Sequence, residues 1–254
     1  MRLNYDLKPR GFSLVEMAMV LVVLGLVTGA LVTPLQLKYQ QLSLTQTEAT
    51  LASAKQALLG YAQTLGRLPC PATNTSNGLE DPLGGGVCVS QLGYFPAATL
   101  GIQPTDINGF AVDTWGNRIM YAVAQNNTGS SPDFTSNSES GGMSFIGIAN
   151  LKPELRVCNS ASGNTLSACS SGSEKNYLIN NAVAVIYSLG ASGHQSAGGL
   201  DENANPTVPT SNKSVFVSHG ITTATQVNGE FDHIMVWISP YVLYNAMIEA
   251  GQLH

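Results

Sequence analysis

Charged side chains are scarce in this 254-residue chain: Asp, Glu, Lys and Arg together make up 11% of it, against about 25% in a typical soluble domain. The scarcity argues against charge-driven disorder, and 44% of hydrophobic residues is enough for a packed core. The formal net charge of −5 also lacks the basic excess that nucleic-acid binding requires. The composition therefore indicates a folded protein with no nucleic-acid partner.

Catalytic motifs are also missing. The sequence has no phosphate-binding G-x-x-x-x-G-K-[ST], no dinucleotide-binding G-x-G-x-x-G, no zinc-binding H-E-x-x-H and no G-x-S-x-G nucleophile elbow. His194 lies near Ser192 in a glycine-rich loop, but residues this close in sequence rarely reach the geometry of a catalytic triad. His233, in an apolar segment, is predicted to be structural or surface-facing. We therefore expect no enzymatic activity.

What the chain does have is a basic start followed by a long apolar run. Residues 1–11 carry three basic side chains and one acidic, and residues 17–37 carry no charge at all. A helix of 21 residues spans roughly 31 Å, about the thickness of the hydrocarbon core of a bilayer. The pattern predicts one transmembrane helix within residues 12–37, with the basic end in the cytoplasm. A cleaved secretory signal is disfavoured, because the run is too long and no A-x-A site ends it.

Glu16 is the only charged residue from Phe12 to Leu37. A carboxylate inside a membrane-spanning segment costs several kcal/mol and usually has a partner. The cost of burying a carboxylate leaves two interpretations of Glu16 open. Glu16 either pairs with a cation inside an assembly or lies close enough to the helix start to reach the lipid head groups.

The segment K-P-R-G-F-S-L-V-E, residues 8–16, resembles the processing site of type IV prepilins and of type II secretion pseudopilins. The resemblance implies that a membrane peptidase removes a leader, residues 1–11, by cutting between Gly11 and Phe12, and methylates the new amine of Phe12. It implies further that Glu16 pairs with the Phe12 amine of a neighbouring subunit in a helical filament. Losing one half of such a buried pair costs about 3–5 kcal/mol, so the pair is expected to set the axial register.

The apolar stripe continues beyond the uncharged run. Leucines recur every seven residues from Leu44 to Leu65, which predicts an amphipathic helix over residues 38–66, ended by Gly66 and the prolines that follow. A coiled coil is the alternative. The resemblance implies that residues 12–37 protrude and that residues 38–66 pack on the head. Because proline removes a helical hydrogen bond, we expect unwinding between Gly29 and Pro34 in an assembled filament.

Residues 67–254 read as a β-rich head with long loops. Four apolar runs predict strands, and a terminal helix and a Ser/Asn/Gly-rich mobile loop are predicted as well. A long helix followed by an antiparallel sheet is an α+β, pilin-like arrangement. The predicted strands cover residues 118–123, 182–187, 214–217 and 232–238, the helix covers 241–250 and the loop covers 126–142.

The four cysteines form two local pairs in the sequence. An even count in an exported chain favours disulfides, and three pairings are possible in principle. The local pairing joins Cys70 to Cys88 and Cys158 to Cys169, each within a turn-rich segment. Zinc binding is the rival, but no C-x-x-C or suitable His spacing is present.

Two further stretches extend the resemblance to the major type II secretion pseudopilin. Residues 113–121, D-T-W-G-N-R-I-M-Y, resemble a conserved turn and strand of that family, with Trp115 predicted to anchor the core. Residues 187–203 resemble its calcium-binding loop, which implies a site formed by Leu189, Ser192, Asp201 and Glu202. Ser192 stands where the family has an acidic residue. A turn of the same composition without an ion is the alternative, and no other cofactor is expected.

The predicted function is structural. The resemblance implies a pilin-like subunit that waits in the bacterial inner membrane with its head in the periplasm. After processing by the prepilin peptidase it polymerises with homologous subunits into a filament at the cell surface or in the periplasm. A secretion pseudopilin and a monomeric membrane-anchored binding protein are the alternatives. A DNA-uptake pilin is disfavoured, because the head is acidic.

Overall fold

The computed structural model describes residues 11–126, 132–138, 141–169, 176–193, 198–211 and 213–253, without the side chains of residues 30–37. The chain divides into two compact units, Met1–Thr45 and Gln46–His254. The first unit, as far as it is described, consists of the N-terminal part of helix α1, which runs from Leu14 to Leu65. The long predicted helix is therefore confirmed. Its backbone is helical between Gly29 and Pro34, and the unwinding expected in a filament stays a prediction.

The second unit contains the rest of α1 and the described part of the head. Helix α1 is followed by a head whose larger sheet is antiparallel, which confirms the α+β class. In chain order the elements are β1 (Leu92–Tyr94), α2 (Ala97–Leu100), β2 (Met120–Val123), α3 (Met143–Ile146), β3 (Leu155–Cys158), β4 (Tyr177–Ala182), β5 (Ala184–Ser188), α4 (Leu200–Asn203), β6 (Val215–Val217), β7 (Ile234–Ile238) and α5 (Pro240–Glu249).

The strands form two sheets. The larger sheet has the order β1-β2-β5-β7 and is antiparallel throughout, as predicted. The smaller sheet has the order β4-β3-β6, and its β3–β6 pair is parallel. This second, mixed sheet was not predicted. The two sheets are joined at Val183, because β4 ends at Ala182 and β5 begins at Ala184.

The apolar stripe of α1 packs into the core of the second unit. Leu51, Ala54, Leu58 and Ala62 are fully buried, in one hydrophobic cluster with β2 and β5. Their spacing of three or four residues is that of a single helix face. The coiled-coil alternative is therefore wrong for this part of the helix. The predicted heptad fails at Leu65, which is 44% exposed.

A buried ion pair closes the C-terminal end of α1. Arg67 donates to both carboxylate oxygens of Glu80, over 2.8 and 2.7 Å, and only 5% of each side chain is exposed. Glu80 also accepts bonds from the Tyr61 hydroxyl and from the backbone N–H groups of Cys70 and Gly84. One carboxylate thus holds the helix and the following loop together.

Both local disulfides are formed. Cys70 is bonded to Cys88, with 5.4 Å between their Cα atoms, and Cys158 to Cys169, with 5.6 Å. The first lies in the main core, and the second forms a separate small cluster with Val215.

Two expectations need correction. Residues 132–136, inside the predicted mobile loop, are buried, and Phe134 accepts a hydrogen bond from Leu68 N–H at 2.8 Å. The rest of that loop, residues 127–131 and 139–140, lies outside the described residues. Trp115 is half-buried instead of a core anchor, because its turn projects toward the surface between the exposed Thr114 and Gly116.

We predict that Glu80→Gln destabilises the head by about 3–5 kcal/mol, because the buried Arg67 loses its counter-charge. Burial alone would raise the pKa of Glu80, but its bonds to Arg67 outweigh this and lower it. The stabilisation by Glu80 is therefore full above the ordinary carboxyl pKa of 4.5 and is lost as the pH falls through the lower folded value. Urea denaturation at pH 7 and at decreasing pH, followed by tryptophan fluorescence, measures both effects.

Asp106→Asn is the matched control for Glu80→Gln. Asp106 pairs with Arg118 at 2.8 Å, but 23% and 28% of the two side chains are exposed, so the expected loss is about 1 kcal/mol or less. Equal losses in the two variants would show that burial of the Arg67–Glu80 pair has no special effect.

Candidate functional site

The predicted processing segment comes immediately before helix α1. Residues 11–13 are not helical, so the Gly11–Phe12 bond lies two residues ahead of the first helical residue, Leu14. The carbonyl of Ser13 accepts the first helical hydrogen bond, from Met17 N–H at 3.1 Å, which makes Ser13 the N-cap. The Gly11–Phe12 bond is therefore in irregular, exposed backbone, as cleavage by a peptidase requires.

Glu16 lies in the first turn of α1 and bonds within its own chain. Its Oε2 accepts a hydrogen bond from the backbone N–H of Ser13 at 3.0 Å. In return, the Ser13 hydroxyl accepts a weaker bond from Val15 N–H at 3.4 Å. The S-x-x-E spacing is that of a capping box, in which a serine and a glutamate three residues apart satisfy N–H groups at a helix start. The sequence analysis missed this role, although the motif is visible in it.

The apolar side chains that follow are exposed. All twelve large hydrophobic residues from Phe12 to Val27 have exposed fractions between 50% (Val27) and 86% (Leu14). Monomeric soluble proteins rarely leave a contiguous apolar surface of this extent uncovered. Residues 12–27 therefore present apolar side chains on all sides of the helix.

Among the residues that the structure describes, no helix combines the length and the apolar character needed to cross a membrane. The transmembrane span over residues 12–37 stays a prediction. Residues 30–37 of the span lie outside the described side chains.

In the head, Asp113 connects the two stretches that carry the further resemblance. It is buried and accepts bonds from the backbone N–H groups of Trp115 and Asn117, which close the turn before β2. Its second oxygen accepts from the Ser188 hydroxyl at 2.6 Å, at the end of β5. Asn117 donates to the Gly190 carbonyl at 2.6 Å. The turn thus fixes the start of the predicted calcium loop.

At that loop, two buried carboxylates, one from the loop and one from just before β7, meet at one hydroxyl. Ser192 Oγ is 2.8 Å from Glu202 Oε1 and 2.9 Å from Asp232 Oδ1. A serine hydroxyl has a single proton, so it donates to one carboxylate only and faces the other with a lone pair. The contact is favourable when a proton is shared between the acids or when a cation bridges them.

His233 completes this cluster. Its Nε2 is 3.8 Å from Glu202 Oε1, and its Nδ1 contacts the Asn205 amide at 3.2 Å. Burial lowers the pKa of His233 to about 4, although the charge of Asp232 opposes the shift. Burial raises the pKa of Glu202, and the nearby Asp232 adds to this. A neutral imidazole at pH 7 therefore leaves the two acids without a cationic partner inside the cluster.

The side chains of this cluster fit a bound cation better than the set of residues predicted from the sequence. Glu202, Asp232 and His233 each offer a ligand atom, and these atoms lie within 4.8 Å of one another. A cavity of about 260 Å³ is lined by Glu202 and His233, and also by Ser192. Carboxylate and hydroxyl oxygens suit calcium, and an imidazole nitrogen suits a transition metal.

The predicted calcium residues are only partly brought together. Ser192 and Glu202 meet, but Asp201 points to the opposite side of α4, where it accepts bonds from Ala161 N–H, the Asn228 amide at 2.8 Å and His219 at 3.2 Å. Leu189 is buried in the hydrophobic core. Adjacent residues of a helical turn diverge by about 100°, which is why Asp201 and Glu202 do not share a site.

Sequence reasoning also missed Asp232 as part of the site. It lies just before β7 and is about thirty residues beyond the loop it joins, so no local spacing linked it to Ser192. The only signal was an Asp-His pair ahead of an apolar strand.

Comparison with known proteins finds one similarity, at the N-terminus. Residues 7–32 match the family described as prokaryotic N-terminal methylation motif. This motif is the signature of the cleavage segment of type IV pilins and pseudopilins, which confirms the resemblance, and that family is structural and not enzymatic. No curated protein and no solved structure matches the chain.

We predict that the His233 ring titrates near pH 4 and not near its ordinary 6.5, because it is buried. The folded pKa is depressed, so its stabilising contribution is present above 6.5 and is lost as the pH falls toward 4. The measurement is NMR of the imidazole Cε1–H resonances in chelator-treated protein. The His233 signal is identified by its absence in His233→Gln, and a midpoint between 6 and 7 would contradict the burial argument.

Proposed function

We propose that the chain is a subunit of a type IV pilus-like filament. In this proposal it waits in the inner membrane with its head in the periplasm, is cut between Gly11 and Phe12, and is methylated on the Phe12 amine. It then polymerises through residues 12–37. The observation that carries the proposal is the methylation motif over residues 7–32, combined with exposed apolar side chains on all sides of the helix inside the same segment.

Contact between these apolar segments holds the assembled filament together. In the bilayer lipid covers the segment, so little hydrophobic driving force acts there. In a filament outside the bilayer, keeping apolar surface away from water is worth roughly 25 cal/mol for each Å², and the exposed side chains between Phe12 and Val27 are large. Apolar packing alone is not directional, so it does not select one axial step. The only charged side chain of the segment, Glu16, supplies a directional contact when a neighbour's Phe12 amine faces it in a low-dielectric core.

A pseudopilin of a type II secretion system is the nearest alternative. The contacts from Asp113 and Asn117 to the end of β5 support it, because they join the two head segments that resemble the major pseudopilin. A monomeric membrane-anchored binding protein is the alternative of another class. Failure of the processed subunit to co-assemble with other pilins would favour that alternative.

We predict that the mature subunit has lost residues 1–11 and gained the mass of one methyl group. Gly11→Val is expected to block this processing, because a branched side chain replaces glycine next to the cut bond. Nothing lies within 4 Å of a Cβ added at Gly11, so the variant should fold normally. Intact mass spectrometry measures processing, and electron microscopy of the sheared surface fraction measures polymerisation.

Gly60→Ala is the control for the glycine substitution. Gly60 also has open space around an added Cβ, but it lies in α1 far from the cleavage segment in sequence, so processing should be unchanged. A surface subunit that still carries residues 1–11 and forms no filament would contradict the proposed function.

We propose further that the head binds calcium through Ser192, Glu202 and Asp232. The two carboxylates that converge on one hydroxyl support this, because a divalent cation removes their mutual repulsion. The proposal retains Ser192 and Glu202 from the sequence analysis and replaces Asp201 and Leu189 with Asp232.

Calcium added to chelator-treated protein is expected to release binding heat in isothermal titration and to raise the unfolding free energy, by about 2.7 kcal/mol at one hundred times Kd. Asp232→Asn should abolish the heat, whereas Asp201→Asn should retain it, because Asp201 bonds elsewhere. Absence of any calcium effect on the wild-type chain would mean that the two acids share a proton instead.

A further inference from the structure

Glu16 already has a partner in the isolated chain. Its Oε2 accepts the backbone N–H of Ser13 at 3.0 Å, and that N–H has no partner inside the helix, because it precedes the first helical residue. The carboxylate also lies where the partial positive charge of a helix N-terminus favours an anion. The side chain is therefore held by its own first turn and does not rotate freely.

The same bond places Glu16 beside the proposed cleavage point. The nitrogen of Phe12 is one residue before that of Ser13, and consecutive backbone nitrogens are roughly 3–4 Å apart. Once cutting turns the Phe12 nitrogen into a cationic amine, this charge is created next to the carboxylate in the same chain.

We propose that Ser13 is a positioning residue for Glu16, and that assembly exchanges the Ser13 N–H of the same chain for the Phe12 amine of a neighbour. This inference rests on the proposed function. In it, Glu16 has two separable properties. One carboxylate oxygen caps the helix in the single subunit, and the negative charge of the carboxylate attracts the Phe12 amine of the next subunit in the filament.

Two substitutions at position 16 separate these properties. Glutamine serves as well as glutamate in a capping box but carries no charge, whereas alanine lacks both the acceptor and the charge. Glu16→Gln should therefore keep the cap and lose the intersubunit pairing, and Glu16→Ala should lose both. Glu48→Ala is the matched control, because Glu48 is an exposed acid on the same helix, well beyond its first turn.

The sequence allows the hydrogen bond of Ser13 N–H to be followed directly by selective labelling. Phe12–Ser13 is the only Phe–Ser pair in the chain. Full-length protein in detergent micelles, labelled with ¹³C-carbonyl phenylalanine and ¹⁵N-serine, therefore gives one carbonyl-correlated amide signal, that of Ser13. We expect its hydrogen exchange to be about fivefold faster in Glu16→Ala, and to match the wild type within about twofold in Glu16→Gln and Glu48→Ala.

Unchanged Ser13 exchange in Glu16→Ala would overturn the inference, and so would equal acceleration in Glu16→Ala and Glu16→Gln. Filament formation is measured on the same variants and tests the proposed function separately. If Glu16→Gln assembles normally, the intersubunit pairing fails, and the exchange rates still decide whether Ser13 holds Glu16.

Discussion

A helix that exposes apolar side chains on all sides, over residues 12–27, is the constraint on which the described part of the first unit depends. Twelve large hydrophobic side chains lie exposed between Phe12 and Val27, and one acid, Glu16, accompanies them. Burial of apolar surface favours any close packing. A buried carboxylate, by contrast, is stable only where a hydrogen-bond donor faces it. In the proposed filament, the strength of association and its geometry thus come from different residues. The methylation motif over the same segment agrees with this division.

The elements that the sequence predicted are those with a strong local pattern. The uncharged run and the leucine stripe indicated α1 almost to the residue, and β2, β5, β6 and β7 coincide with runs of β-branched and aromatic residues. The missed strands lack such runs. β1 is three residues long with a central Gly93, where an added Cβ would meet the Ala72 carbonyl at 2.5 Å. β4 contains Asn180 and Asn181, which are typical of turns.

The candidate metal site shows a different limit of sequence reasoning. Glu202 and Ser192 belong to one loop and were found through its resemblance, but Asp232 and His233 reach them only through the pairing of β5 with β7. Strand pairing over forty residues leaves no trace in local spacing. The error at Asp201 has a simpler cause, because the direction of a side chain in a helical turn was not considered.

The junction at Val183 limits which insertions and deletions the head can accept. β4 and β5 are separated by this one residue, yet they belong to different sheets. A single-residue insertion or deletion in either strand would move the side chains of that strand to the opposite face of its sheet. It would also disturb the strand register in the neighbouring sheet. Length variation in related heads is therefore expected to accumulate in described connections such as 220–228, and to spare residues 177–188.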